Sequence, residues 1–153
     1  VQEIVADMNR FIENFYYNIV MPKDGVDEFL QMLQSQNVKM CVATATDKYL
    51  VEAALKRTGL LKYFSEIFTC TGVGKGKNDP LIYLKALEHI GTEKDSTYVF
   101  EDAIHAVRTA KSAGFKVVGI YDKSQNESLI KNEGDLYVRS YRDIKELLFA
   151  GGK

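Results

Sequence analysis

Five short apolar runs, each closed by polar residues, constrain this chain more than any other feature of it. They are Lys39–Thr46, Glu66–Cys70, Tyr98–Phe100, Lys116–Ile120 and Leu136–Val138. Helical periodicity fills the intervals: Asp47 to about Thr58, Asp79-Pro80 to Ile90, Ala103 to Gly114, Ser124 to Lys131 and a closing stretch from Arg142 to Leu148. The helix after Pro80 is typical, with Leu81, Ile82, Leu84, Ala86, Leu87 and Ile90 as its apolar face. Strands that alternate with helices of this length imply right-handed crossovers and a parallel sheet covered on both faces. The expected fold class is therefore α/β, in three layers.

One segment stands outside the alternation. Ile4, Met8, Phe11, Ile12, Phe15 and Tyr16 recur at spacings of three and four, one face of an amphipathic helix that starts in mid-pattern at Val1. Pro22 breaks it, and Asp24 is a candidate cap for a second helix carrying Val26, Phe29, Leu30 and Leu33.

The chemistry is expected at strand ends, because open parallel sheets bind ligands beyond the carboxyl ends of their strands. The run Tyr98-Val-Phe leads straight into two carboxylates, Glu101 and Asp102. Adjacent carboxylates repel unless a cation joins them, and Mg²⁺ characteristically takes one or two carboxylates with waters and phosphate oxygens. The alternative is that both acids simply open the next helix, where they suit its dipole. The first run ends in hydroxyls, Thr44 and Thr46, and Lys77 follows the loop Gly72-Val-Gly74-Lys-Gly76. A hydroxyl with free backbone N–H groups can hold a phosphate oxygen, and a lysine can neutralise a transferring phosphoryl group.

In this order the motifs resemble those of the haloacid dehalogenase superfamily, in particular its β-phosphoglucomutase-like phosphatases with a helical cap. Val42-Ala43-Thr44 is similar to the second motif; the resemblance implies that Thr44 and the Ala45 backbone N–H bind phosphoryl oxygens. Lys77-Asn78-Asp79-Pro80-Leu81-Ile82-Tyr83-Leu84 resembles the third, which gives the family's lysine role to Lys77 rather than Lys75. Val99-Phe100-Glu101-Asp102-Ala103 resembles the fourth, implying Mg²⁺ coordination through Asp102 with Glu101 at or beside the metal. Ala103 and Ala106 depart from the Ser and Gly common there.

The larger departure is the absence of Asp-x-Asp, whose first aspartate attacks phosphorus in the family and whose second is its general acid/base. The resemblance thus implies that residues 1–20 are the last helix of a helical cap, and that residues 21–153 are a Rossmann-like core lacking its first strand. A sheet without that strand is expected to show an unpaired edge or an apolar gap, inviting self-association. The implied activity is Mg²⁺-dependent hydrolysis of a small phosphorylated metabolite through an aspartyl-phosphate. A phosphomutase and a non-catalytic binding module of the same fold are the alternatives.

Other readings fail on particular residues. A P-loop needs Ser or Thr after its lysine, and Asn78 is there instead. The strand into Glu101-Asp102 lacks the Gly-Thr turn of a phosphoribosyl-pyrophosphate loop. A receiver domain would need an acceptor aspartate on a strand between the acidic pair and the hydroxyl. His89 and His105 have no ligand-spaced partners, and are expected to face solvent. The net charge of −1 gives no field for nucleic acid or an acidic membrane, and the aromatic residues are not interleaved with basic ones. No run is long enough for a membrane span. Cys41 and Cys70 sit apart in strand-like runs and read as reduced thiols, which favours a cytoplasmic protein.

Overall fold

A computed structural model describes residues 2–144. In chain order it contains α1 (Gln2–Asn14), a π-helical turn (Phe15–Ile19), α2 (Val26–Ser35), β1 (Val42–Thr44), α3 (Lys48–Arg57), β2 (Ile67–Thr69) and a short helical turn α4 (Cys70–Val73). Next come α5 (Leu81–Ile90), β3 (Tyr98–Glu101), α6 (Ile104–Ser112), β4 (Lys116–Ile120), α7 (Glu127–Glu133) and β5 (Leu136–Val138). Of the expected closing helix, a 3₁₀ turn at Tyr141–Asp143 is seen, and residues 145–148 lie outside the described residues.

Every strand pairing is parallel. The strands divide into two sheets, β1-β2 and β3-β4-β5, rather than one continuous sheet. The central strand β4 shows why three layers form. Its neighbouring residues Val117 and Val118 are both fully buried but belong to different cores. Successive strand side chains point to opposite faces, so both faces of β4 are covered. On one face Val117 packs with Ile82 and Tyr83 of α5, Val107 and Ala110 of α6, and Ile130 of α7. On the other, Val118 and Ile120 pack with Phe29 of α2 and with Val138 and Ile144. Gly119 lets α7 settle onto this strand, because a Cβ there would lie 2.5 Å from the Ile130 Cγ2. Truncating a fully buried member such as Ile82 to Ala would cost about 2–5 kcal/mol.

Asp24 does not cap α2. The cap position is Gly25, held at φ +78°, and the Asp24 carboxylate instead accepts from Arg142 Nε (3.0 Å) and Ser140 Oγ (3.0 Å). The aspartate ties the start of α2 to the segment after β5, which draws the two ends of the core together. Helix α1 forms as its periodicity predicts, but buries none of its residues: Ile4, Met8 and Phe11 are 66%, 59% and 70% exposed. Only its root is held. Arg57 of α3 donates to the Val20 carbonyl, Tyr49 donates to Glu13 (3.2 Å), and the Tyr16 and Thr46 hydroxyls share a hydrogen bond of 3.2 Å.

Candidate active site

The carboxyl ends of β1 and β3 and the first turn of α5 define the site. Thr44 closes β1, and its Oγ1 accepts the Thr46 backbone N–H at 3.1 Å. That bond uses an acceptor position and fixes the rotamer, while the hydroxyl proton remains able to donate to an anion. Ala45 follows on the exposed turn into α3.

Across from β1, Glu101 ends β3 and is only 6% exposed. Its Oε1 accepts from both the Lys77 ammonium and the Tyr83 hydroxyl, the latter at 2.8 Å. A buried carboxylate is tolerated only when paired and hydrogen-bonded, and both conditions are met here. Burial first, and then the Glu101 charge, push the Tyr83 phenol far above its ordinary pKa, so it stays a donor. Lys77 is held at 14% side-chain exposure by this pair, and its ammonium also lies 6.0 Å from the centre of the Tyr83 ring. The lysine reaches this position because Thr69 caps the α4 turn (Gly72 N to Thr69 Oγ1, 2.9 Å), and Asp79 accepts from Leu81 N at 2.9 Å where α5 begins. Pro80 serves as the helix cap rather than its first residue.

Asp102 points elsewhere. Its side chain is 43% exposed, with Oδ2 3.7 Å from the Lys23 ammonium. The same ammonium donates to Asp122 Oδ2 (2.8 Å) and to the Tyr121 carbonyl (3.0 Å). Hydrogen bonds from Lys23, then from Ser124, hold the Asp122 carboxyl well below the usual carboxylate range. Asp102 and Asp122 therefore face one position that already suits a cation. Among the described residues no group of three or more His, Cys, Asp or Glu side chains could hold a metal alone. The donor set instead matches the habit of Mg²⁺, which keeps waters and takes oxygen ligands from a phosphorylated substrate.

The residues expected from sequence thus fall into three groups. Lys77 and Glu101 are in contact, Asp102 stands beside Lys23 and Asp122, and Thr44 with Ala45 ends the neighbouring half-sheet. Sequence reasoning missed Tyr83, Lys23 and Asp122. The signal for Asp122 was available, since it follows the end of β4 as Asp102 follows β3. His89 and His105 are exposed as expected; His89 Nε2 lies 3.0 Å from Ser65 Oγ. Both cysteines are free. Among the described residues no helix is long and apolar enough to cross a membrane.

Comparison with known proteins gives the family of the chain. The profile of haloacid dehalogenase-like hydrolases matches residues 2–120. A phosphorylated carbohydrates phosphatase from Thermotoga maritima is 35% identical over 89% of this chain and 56% of its own length. A validoxylamine A 7'-phosphate phosphatase from Streptomyces hygroscopicus subsp. limoneus is 31% identical over 95% of this chain and 67% of its own. The crystal structure of a HAD phosphatase from Thermococcus onnurineus superposes with a TM-score of 0.76 at 27% identity, over 92% of this chain and 63% of that one. The chain spans between about half and two thirds of the length of these relatives. The family profile spans most of the chain, and the chain belongs to the haloacid dehalogenase-like hydrolases.

Proposed function

We propose that this chain is the greater part of the catalytic core of a Mg²⁺-dependent phosphatase acting on a small phosphorylated metabolite. The observation that carries the reading is the network of partly buried Lys77 with buried Glu101 and Tyr83 at the end of β3, next in sequence to the half-exposed Asp102. A lysine so held offers a fixed positive charge to the non-bridging oxygens of a phosphoryl group. Glu101 and Tyr83 position that charge and limit its motion. Thr44 donates its hydroxyl proton to a second phosphoryl oxygen, and the Ala45 N–H serves a third. Asp102, with Asp122 beside it, would hold Mg²⁺; the ion when bound screens the phosphate charge from an anionic nucleophile. Lys23, which lies 3.7 Å from Asp102 and 2.8 Å from Asp122, would have to yield its place to the ion.

The nucleophile of this scheme is an aspartate outside residues 1–153. Its carboxylate oxygen forms a bond to phosphorus as the bond to the substrate oxygen breaks, and the leaving oxygen takes a proton from the second aspartate of the Asp-x-Asp pair, which recovers one from the attacking water. Water then cleaves the aspartyl-phosphate, releasing inorganic phosphate and regenerating the carboxylate. The phosphatase names of the relatives favour hydrolysis over phosphoryl transfer to a second sugar position. Soluble phosphometabolites and the reduced cysteines suit a cytoplasmic setting.

In the whole protein, Asp102→Asn should lower Mg²⁺-dependent hydrolysis of p-nitrophenyl phosphate by at least about 100-fold, since an amide is a poor ligand for a hard cation. Lys77→Ala should cause a loss of the same order. Retained turnover in Asp102→Asn would defeat the assignment.

A further inference from the structure

The bend after β1 has little support from regular structure. β1 ends at Thr44 and α3 begins at Lys48, and Ala45 and Thr46 between them belong to neither. One hydrogen bond closes the bend, from Thr46 N to Thr44 Oγ1 (3.1 Å). A threonine hydroxyl that accepts from the N–H two residues on makes a tight but weak turn. The Thr44 rotamer and the aim of the Ala45 N–H both depend on that turn, so both are sensitive to whatever holds Thr46.

Thr46 is held by Tyr16. Both residues are half-buried, and their hydroxyls lie 3.2 Å apart, bridging 30 positions of sequence with either group able to donate. Tyr16 is itself fixed from several sides. It stands in the π-helical turn Phe15–Ile19, closed by Val20 N on the Phe15 carbonyl (2.8 Å). Turns of this kind are rare and are found mostly at functional positions. The Phe15 ring meets the Tyr16 ring edge-on, with centroids 5.8 Å apart. Arg57 of α3 donates to the Tyr16 carbonyl at 3.5 Å as well as to the Val20 carbonyl. A well-anchored hydroxyl thus reaches from the α1 root to the least supported part of the candidate site.

We propose that Tyr16 is a positioning residue for phosphate binding, acting through Thr46 on Thr44 and Ala45; this deepens the phosphatase reading and rests on it for the role of those two ligands. With the Tyr16–Thr46 bond in place, the Thr46 N–H stays on Thr44 Oγ1, which leaves the Thr44 hydroxyl proton to donate to the anion. Without it the bend gains other arrangements, and binding has to order it again, which lowers affinity. Tyr49 provides a contrast within the same root. Its hydroxyl also ties α1 to α3, donating to Glu13 at 3.2 Å, but among the described residues it is not bonded to the bend.

The test measures binding of inorganic phosphate to the whole protein in Mg²⁺ by titration calorimetry, beside hydrolysis of p-nitrophenyl phosphate. Tyr16→Phe keeps the ring and Thr46→Val keeps the shape; each should weaken phosphate binding about 5-fold and raise KM by a similar factor, with kcat affected less. The double variant should be no weaker than either single one, because both remove the same bond. Thr46→Ser should recover most of the affinity, and Tyr49→Phe should bind phosphate within about 2-fold of the parent. Phosphate affinity retained in Tyr16→Phe, even with a lowered melting temperature, would overturn the proposal. So would losses that add in the double variant, or an equal loss in Tyr49→Phe, since loosening of α1 alone would then explain the effect. A parent protein that binds phosphate but leaves the ester intact would defeat the phosphatase reading alone, and the same variants would still decide the role of Tyr16. A folded parent that binds no phosphate would overturn both.

Discussion

Glu101 Oε1 receives two donors at once, and the consequences can be tested one side chain at a time. Tyr83→Phe removes one of them while keeping the ring that packs against Phe115. Loss of a buried hydrogen bond to a charged group should lower unfolding stability by about 1.5–3 kcal/mol, measured by urea denaturation. An unchanged midpoint would mean that Lys77 alone satisfies the carboxylate. This layer of the site was partly legible in sequence. Lys77, Glu101, Asp102 and Thr44 each follow a strand-like run, and that position makes them recognisable. Tyr83 was not legible, because at helical spacing a buried tyrosine reads as core, and its hydroxyl partner lies 18 positions away. Lys23 was hidden for a related reason: its partner Asp122 is 99 residues distant, and only the fold brings them together.

At the scale of elements, the entry to α2 shows where local rules gave way to long-range contacts. Asp24 has the chemistry of a helix cap, but the Arg142 guanidinium and the Ser140 hydroxyl bind it more effectively than a backbone N–H would. They hold the Asp24 carboxyl below its usual range, with Arg142 the larger influence. The cap position then falls to Gly25, whose positive φ and crowding exclude a side chain. A Cβ there would lie 2.7 Å from Arg142 Cγ and 2.8 Å from Arg142 N. Gly25→Ala should therefore destabilise the protein by about 1–3 kcal/mol. A thermal midpoint equal to that of the parent would contradict this account of the turn. The strands and the long helices were legible because their periodicity is driven by burial on β4 and α5. The break in the sheet was legible only as an expected unpaired edge or apolar gap; its position between β1 and β3 was not, since a strand's partners are absent from its own sequence.

Across the whole molecule, several carboxylates paired with Arg or Lys are held below their ordinary range and contribute to the response to acid. Glu127 is lowered to about 2 by Arg139 and then Tyr137, Glu133 is lowered by Arg108, and Asp122 by Lys23. These groups bind protons less readily when folded than when unfolded. Their contribution is therefore complete above the unfolded carboxylate range near pH 4 and is lost as pH falls towards 2. The melting temperature should fall steadily over that interval, and a flat profile would contradict the pairing. In the alkaline range, burial and then Glu66 raise the Cys41 thiol to about 11, so its stabilising influence fades above the ordinary thiol range near 8.5.

At the same scale, Thr44 closes β1 and Glu101 closes β3, and the α1 root lies near the β1 end through Tyr16 and Thr46. The central proposal is that these strand ends serve phosphoryl transfer with the help of a divalent cation. Its most direct test is phosphate release from a panel of phosphorylated sugars by the whole protein, in Mg²⁺ and in excess chelator. The account predicts turnover of at least one sugar phosphate in Mg²⁺, abolished by the chelator and restored when Mg²⁺ is returned. Release that is equal in chelator, or no release from any member of the panel by a folded whole protein in Mg²⁺, would contradict it.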